Sequence, residues 1–537
     1  MTTRTTRYGG QDLTRITTHP GWTWTALTPA TALVGANGLL VGPDGELYIA
    51  EGHGSAISAV DSLSGAVRNV SRSDDPIECP DDIAFDAAGR MYVTEFALGR
   101  VSVRHLDGSV EVVDANIPSA NGITTVGDRV FVDEFRPGGR ILELFPDGRE
   151  RRVLAENVDW PNGLAAGADS YLYYPSVFAG EIWRIGIDGG VPERVAAGLS
   201  APTAVKFSPE GILHASLAGG DVVKVSTVGS GAVEVVATLP GGSDNLAFRD
   251  DGTLFVSNQI DGSVRAIDAS GAVRLLIAPG LVGPFGVAAA ADGSVCIADG
   301  LGYARWHPDG SLEHPASVAT PGFPGVARSV AHLVDGSLVI GTTEGTIAQW
   351  PQNSADSVLA TGIAGLMGMA GAPDGGVVAV AGDAGEVLQI TAAGTTVLVS
   401  GLDDPRGVAV TATGEIVVAE SGAGRVIHID QHGVSRTLME GLIEPSGVAV
   451  SGEDVFVLDR AARTLLRVDL GGGVVTEIAA NLPVGPAPGV GETIVAGLPG
   501  LAPGPWLPFA DLAISPHGAV IVGCDGAGTL VAIASDD

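Results

Sequence analysis

The sequence predicts an all-β chain, folded as two tandem six-bladed β-propellers with four antiparallel strands per blade. Three observations predict it: a glycine-rich, aromatic-poor composition, one unit written twelve times, and chain ends that look complementary. Glycine accounts for 78 of 537 residues, while hydrophobic residues reach 45% and aromatics only 5%. Many glycines without a triplet period, set among Val, Ile and Ala, describe short strands joined by tight turns. Collagen and disorder are excluded, because the apolar content is ample for a large core.

Each repeat reads as a small turn followed by four apolar runs. In the first, Ala36–Val41 leads into the turn Gly42–Gly45, then Glu46–Glu51, Ser55–Asp61 and Gly65–Val70. Units open at Asn37, Asp81, Asn121, Asn162, Thr203 and Asp244, then at Phe285, Arg328, Met367, Arg406, Ser446 and Ala510. The steps are 39–44 residues except the last, of 64. A period near 40 with four strands per unit is the signature of propeller blades. Hairpins are marked by Asp44-Gly45, Asp251-Gly252, Asp292-Gly293 and Asp335-Gly336. Six-residue Val/Ile runs bounded by Gly are too short for a helical solenoid.

Twelve blades exceed one ring, so the array should split. The last unit offers Ala510–Pro516, Ala519–Gly523 and Thr529–Ser535, then stops without a fourth strand, while Trp22–Thr28 is an extra strand before the first blade. The expectation is that each ring is closed by its own N-terminal strand, which removes exposed edges. Trp22–Thr28 would close the sixth blade, and the strand at Val273–Ala278 the twelfth. The domains are then residues 22–270 and 271–537, with the Pro/Gly-rich stretch Leu482–Pro508 as a surface loop.

A net charge of −33 argues against nucleic acid as a partner, since phosphate binding needs basic patches. Lys206 and Lys224 are the only lysines, so Schiff-base chemistry is confined to two positions. Cys79, Cys296 and Cys524 lie far apart, forming neither a disulfide framework nor a zinc motif. No apolar leader or membrane-length run is visible, and a reducing, cytoplasmic setting without a membrane is the default expectation.

A blade's opening turn and the end of its second strand lie on one face of the ring, and the opening turns converge on the central channel. In the first six units this column reads Asn37, Asp81, Asn121, Asn162, Thr203 and Asp244, with Asp82 and Asn245 following. In the last six it holds Phe285, Arg328, Met367, Arg406, Ser446 and Ala510, with no common chemistry. Second-strand ends add Glu51, Glu95, Glu134 and Asn258 to the first ring, and Asp299, Glu420 and Asp459 to the second. The bland role for such end residues is to bond loop amides, and for an Asn before Gly it is turn chemistry. Converging amides and carboxylates confined to one ring suit a hard, oxygen-seeking cation such as Ca²⁺. His53 and His214 are isolated, which disfavours zinc. Asn37, Asp81, Asn121, Asn162 and Asp244 are therefore the candidate metal ligands, and Asp82, Glu95 and Glu134 the candidate general bases. Glu51, Asn245, Asn258 and Thr203 are the candidate substrate contacts.

The segments Pro161-Asn162-Gly163-Leu164, Ala120-Asn121-Gly122-Ile123 and Ser243-Asp244-Asn245-Leu246 resemble the channel motifs of the SMP-30/gluconolactonase/LRE-like superfamily. The resemblance covers roughly residues 22–283, and the remainder, with turns such as Pro405-Arg406-Gly407-Val408, is similar to generic NHL-type repeats. It implies a channel-bound divalent cation, usually calcium, held by one Glu, two Asn and one Asp, and hydrolysis of lactones or organophosphates. Asn121 and Asn162 match the two Asn ligands. Asn37 stands where the family has Glu and Thr203 where it has Asp, with Asp244-Asn245 appearing in the sixth blade instead. The leading expectation is a cation-dependent hydrolase of a small lactone or activated ester. A lyase or other acid–base enzyme on the same ring, and a propeller scaffold without catalysis, are the alternatives.

Overall fold

The computed structural model describes residue 7 and residues 13–72, 75–228, 231–352, 357–486 and 509–536, together with two strands at Val495–Leu498 and Ala502–Trp506. Of the stretch read as a surface loop, 487–494, 499–501 and 507–508 lie outside the described residues. The chain is all-β and divides into two compact units. One is built on Ala32–Pro279, the other on Gly280 onward with the N-terminal segment through Thr31.

The repeats become sheets of four antiparallel strands. The first unit holds six, each made of four consecutive strands, from Leu39–Val41 through Val67–Ser71 to Ser243–Phe248 through Val273–Ile277. The Asp-Gly hairpins form as written: Asp251 and Asp292 accept the amides of Thr253 and Ser294 at 3.0 and 2.9 Å. Gly252 and Gly293 take φ of 83° and 84°, a region open to glycine and costly for most residues.

Apolar residues alternate along each strand and pack between neighbouring sheets. In the first unit such clusters join the first sheet to the second, and so on to the sixth. A further cluster, with Leu39, Ile49 and Val60 against Ala247, Phe255 and Val264, joins the sixth sheet back to the first. Ser257 on the sixth sheet also donates to the Asn37 carbonyl on the first at 2.6 Å. The second unit repeats the arrangement, and its last sheet packs on its first through Ile521 and Leu530 against Val287 and Ile297.

Closure differs from the expectation. Val273–Ile277 is the ordinary fourth strand of the sixth sheet, paired with Val264–Ile267. Trp22–Ala26 instead pairs with Thr529–Ser535, completing the last sheet of the second unit. The physical reason is strand count. The sixth sheet already owns four consecutive strands, whereas the final repeat ends after three and leaves an open edge that the N-terminal strand covers. Thr17–Thr18 adds a fifth strand beside Thr476–Ala480. The six four-stranded sheets of the first unit thus lie on one continuous stretch of chain, and Trp22–Thr28 does not belong to them. No helix among the described residues is long and apolar enough to cross a membrane.

Candidate functional site

The first unit positions its opening residues by breaking the first ladder of four of its sheets at the same place. Register shifts fall between Pro80 and Ile83, Ala120 and Ile123, Pro202 and Ala204, and Ser243 and Leu246. In the fourth sheet the ladder begins only at Ala165, after Gly163 at φ 49°. Such bulges turn side chains away from the alternating faces of a strand. Two residues before each opening residue the backbone is left-handed: Gly35, Cys79, Ser119, Trp160, Ala201 and Gly242 have φ of 80°, 47°, 55°, 49°, 48° and 99°. Four of these six are not glycine, and Trp160 is bulky, so strain is concentrated at this end of the unit.

The structure brings much of the predicted column together. Asn245 on the sixth sheet donates to Asp82 on the second at 3.2 Å. Asp82 also accepts the amides of Ile83 and Ile123 at 2.9 and 3.3 Å. Asp81 lies near enough to Asp244, Asp82 and Asp133 to be repelled by all three. Burial raises the Asp81 carboxyl well above its ordinary range, and the negative neighbours raise it further. Burial and the charge of Asp82 push Asp244 up to about 7. Asp82 is raised by burial, with Lys206 pulling in the opposite direction. The side-chain oxygens of Asn37 and Asn121 are buried and have no hydrogen-bond partner. Asn162 is half-buried, and its amide bonds the Pro175 carbonyl at 3.3 Å.

Other predicted residues are committed elsewhere. Glu95 is paired with Arg100 at 2.6 Å, accepts the Glu78 amide at 2.7 Å and is bonded by Ser102. Glu134 is held by Arg136 at 2.7 Å and by Arg140. Both are structural ion pairs, so the general-base role expected of them has no free oxygen to act through. Glu51 accepts the Val34 amide at 2.7 Å and the Ser58 hydroxyl. Asn258 caps its loop, donating to Gly241 at 2.9 Å and accepting from Ile260 at 2.9 Å. Thr203 bonds Ser216 and the Ser243 carbonyl at 2.8 and 3.2 Å. Asn245 accepts the Leu246 amide at 2.8 Å besides its bond to Asp82. The four expected substrate contacts therefore have internal partners.

Sequence reasoning missed Asp133 and underrated Lys206. Asp133 is fully buried, accepts the Gly122 amide at 3.0 Å through one oxygen and leaves the other without a partner. Its carboxyl is raised well above the usual range by burial. It sits one residue before Glu134, where other sheets place Thr94, Ser216 and Ser257; Thr94 and Ser257 latch to the next sheet's opening carbonyl at 2.6 Å. Aligning that penultimate column would have shown Asp133 as the one carboxylate, against three hydroxyls and Ala50 and Pro175. Lys206 donates to the Leu164 carbonyl at 3.1 Å, between the carboxylates and a cavity of about 380 Å³ lined by Leu40, Phe85 and Thr124.

A cation fits this donor set in kind. Two unpartnered amide oxygens, and carboxyls driven toward their protonated forms by burial and then by one another's charge, are what a divalent cation would relieve. Among the described residues no group of three His, Cys, Asp or Glu side chains is placed to hold a metal ion by itself.

The second unit shows different chemistry. Arg328 lies over the rings of Phe285 and Phe509 at 5.0 and 5.5 Å, with Met367 3.8 Å from its guanidinium. Asp299, Glu420 and Asp459 bond loop amides, as at Val282, Asp403 and Ile443. Asp511, which the column reading passed over, is buried and pushed up to about 7. All three cysteines are free and buried.

No family model matches the chain. It is 28% identical over 245 residues to a gluconolactonase of Zymomonas mobilis subsp. mobilis, covering 42% of this chain and 60% of that protein's length. Among solved structures, virginiamycin B lyase from Staphylococcus aureus aligns at 17% identity over 52% of this chain and 96% of its own, with a TM-score of 0.38. A gluconolactonase from Xanthomonas campestris aligns at 18% identity over 45% of this chain and 88% of its own, also at 0.38. By sequence, then, this all-β chain is similar to a gluconolactonase over part of its length.

Proposed function

We propose that each unit is a six-bladed propeller and that the first hydrolyses a small lactone or activated ester with the help of a divalent cation, Ca²⁺ by its donor chemistry. The observation that carries this reading is the pair of unpartnered amide oxygens, Asn37 and Asn121, beside the mutually repelling carboxyls of Asp81 and Asp244. The similarity to gluconolactonase supports the reaction class.

Asn37, Asn121, Asn162 and Asp81 would hold the cation. When bound it supplies Lewis-acid polarisation of the substrate carbonyl. Asp82 is pinned by Ile83, Ile123 and Asn245, so the base role falls to Asp244, whose carboxyl near 7 exchanges protons at neutral pH. Asp244 takes a proton from the water that adds to the carbonyl. As the ring C–O bond breaks, that proton returns to the departing alkoxide, leaving a hydroxy acid.

The test is lactone and ester hydrolysis before and after chelation. Activity lost with chelator, restored by calcium and abolished in Asn121→Ala is expected, with one oxygen from labelled water in the product. Unchanged activity after chelation overturns the cation, and an alkene product overturns hydrolysis.

A further inference from the structure

Aromatic residues are scarce in this chain at 5%, yet four gather at the end of the first unit that carries the opening residues. Phe96 and Phe135 follow the second strands of the second and third sheets, Trp160 stands two residues before Asn162, and Phe178 lies on the loop of the fourth sheet. Phe135 packs edge-on against Trp160 at 5.0 Å, Trp160 against Phe178 at 5.0 Å, and Phe96 against Phe135 at 6.2 Å.

Backbone bonds fix this group against the opening residues. The amide of Phe135 bonds the Ser119 carbonyl at 2.9 Å, two residues before Asn121, and the amide of Val177 bonds the Trp160 carbonyl at 3.1 Å. Phe96 and Phe135 are buried at 3% and 7%, Trp160 is half-buried and Phe178 is 63% exposed. Phe96 and Phe135 are thus covered, while Trp160 and Phe178 reach solvent on the segments tied by backbone bonds to those that lead into Asn121 and Asn162. The equivalent loops of the first, fifth and sixth sheets carry Gly52, Ala218 and Gln259, so the apolar wall occupies one side only.

We propose that this wall binds an aromatic or bulky apolar group of the substrate, making the substrate an aryl or apolar lactone or ester and not a polyhydroxylated one. This rests on the hydrolase reading above. Recognition of a sugar-like ring needs a set of uncommitted donors and acceptors. Thr203, Asn245, Glu51 and Asn258, the polar groups placed to provide them, are bonded internally. An apolar ring gains from burial against the wall without asking for those bonds.

The experiment compares dihydrocoumarin, an aryl lactone, with gluconolactone in the full chain and in Phe178→Ala and Phe178→Trp. Expected is a preference for dihydrocoumarin, with KM raised roughly five- to tenfold in Phe178→Ala, kcat unchanged and Phe178→Trp near wild type. Preferred turnover of gluconolactone, or equal KM values for dihydrocoumarin in all three proteins, overturns the proposal. Should no lactone be hydrolysed, the reaction fails separately. Dihydrocoumarin binding read by tryptophan fluorescence then decides the wall, upheld by weakening in Phe178→Ala and overturned by its absence.

Discussion

Asn245 donates to Asp82 at 3.2 Å although 163 residues separate them, tying the sixth sheet of the first unit to the second across the opening strand of the first. That reach is possible because the intervening residue is Gly38. A Cβ there would lie 2.6 Å from both the Cα and Oδ1 of Asp82 and would strike the Asp81 carbonyl. Gly38→Ala is therefore expected to destabilise the first unit by about 1–3 kcal/mol, because backbone must move to admit the methyl. Denaturant unfolding checks it, and a loss below a few tenths of a kcal/mol would show that the strands shift freely.

The same centre sets a pH dependence whose sign follows from its carboxyls. Asp244 is raised to about 7 in the folded chain, so between its ordinary value and 7 the folded chain retains a proton that the unfolded chain releases. Without a cation, this group favours folding most at low pH, and its contribution declines as pH rises toward 7. A cation held nearby by Asn37, Asn121, Asn162 and Asp81 would favour the ionised carboxyl through its charge and offset the loss. In chelated protein, the Tm difference between Asp244→Asn and wild type should grow from about pH 5 to about pH 7.5, and calcium should shrink it at the upper end. A difference independent of pH would place the titration elsewhere.

Chain closure gives a separable test. In a chain begun at Ala32, the alternate amides of Thr529–Ser535 that face Trp22–Ala26 should lose exchange protection, while those bonded to Val520–Cys524 keep theirs. The amides of Val273–Ile277 should keep theirs, because their partner Val264–Ile267 remains. The opposite pattern would restore symmetrical closure.

What could be read from the sequence was the column; what could not was the parity of individual side chains. Asn37, Asp81, Asn121 and Asp244 are recognisable because they interrupt apolar runs at a fixed period. Glu95 and Glu134 share that period, but their outcome depends on Arg100 and Arg140 across the strand pair, which no period reveals. Asp133 hides one residue earlier, where strand alternation makes an inward side chain look like part of the next turn. Closure was misjudged because Trp22–Thr28 suits either ring as a strand, and only the count of four in the sixth sheet decides between them.

Lys206 is the last determinant of this centre. Its charge acts on Asp82 and Asp133, lowering both against the burial that raises them, while its ammonium is anchored on the Leu164 carbonyl at 3.1 Å. Lys206→Met keeps most of the side chain's length and apolar stem but removes that charge. At the acid end of the range, where the carboxyls keep their protons, the loss should be slight. As pH rises they must ionise without a cationic neighbour, so the destabilisation should grow to on the order of 1–2 kcal/mol by about pH 8. Chelated protein is the appropriate sample, since a bound cation would mask the difference. A destabilisation equal at both ends of the pH range would mean that Lys206 serves the fold through its bond to Leu164 alone, and that the carboxylates settle their charge without it.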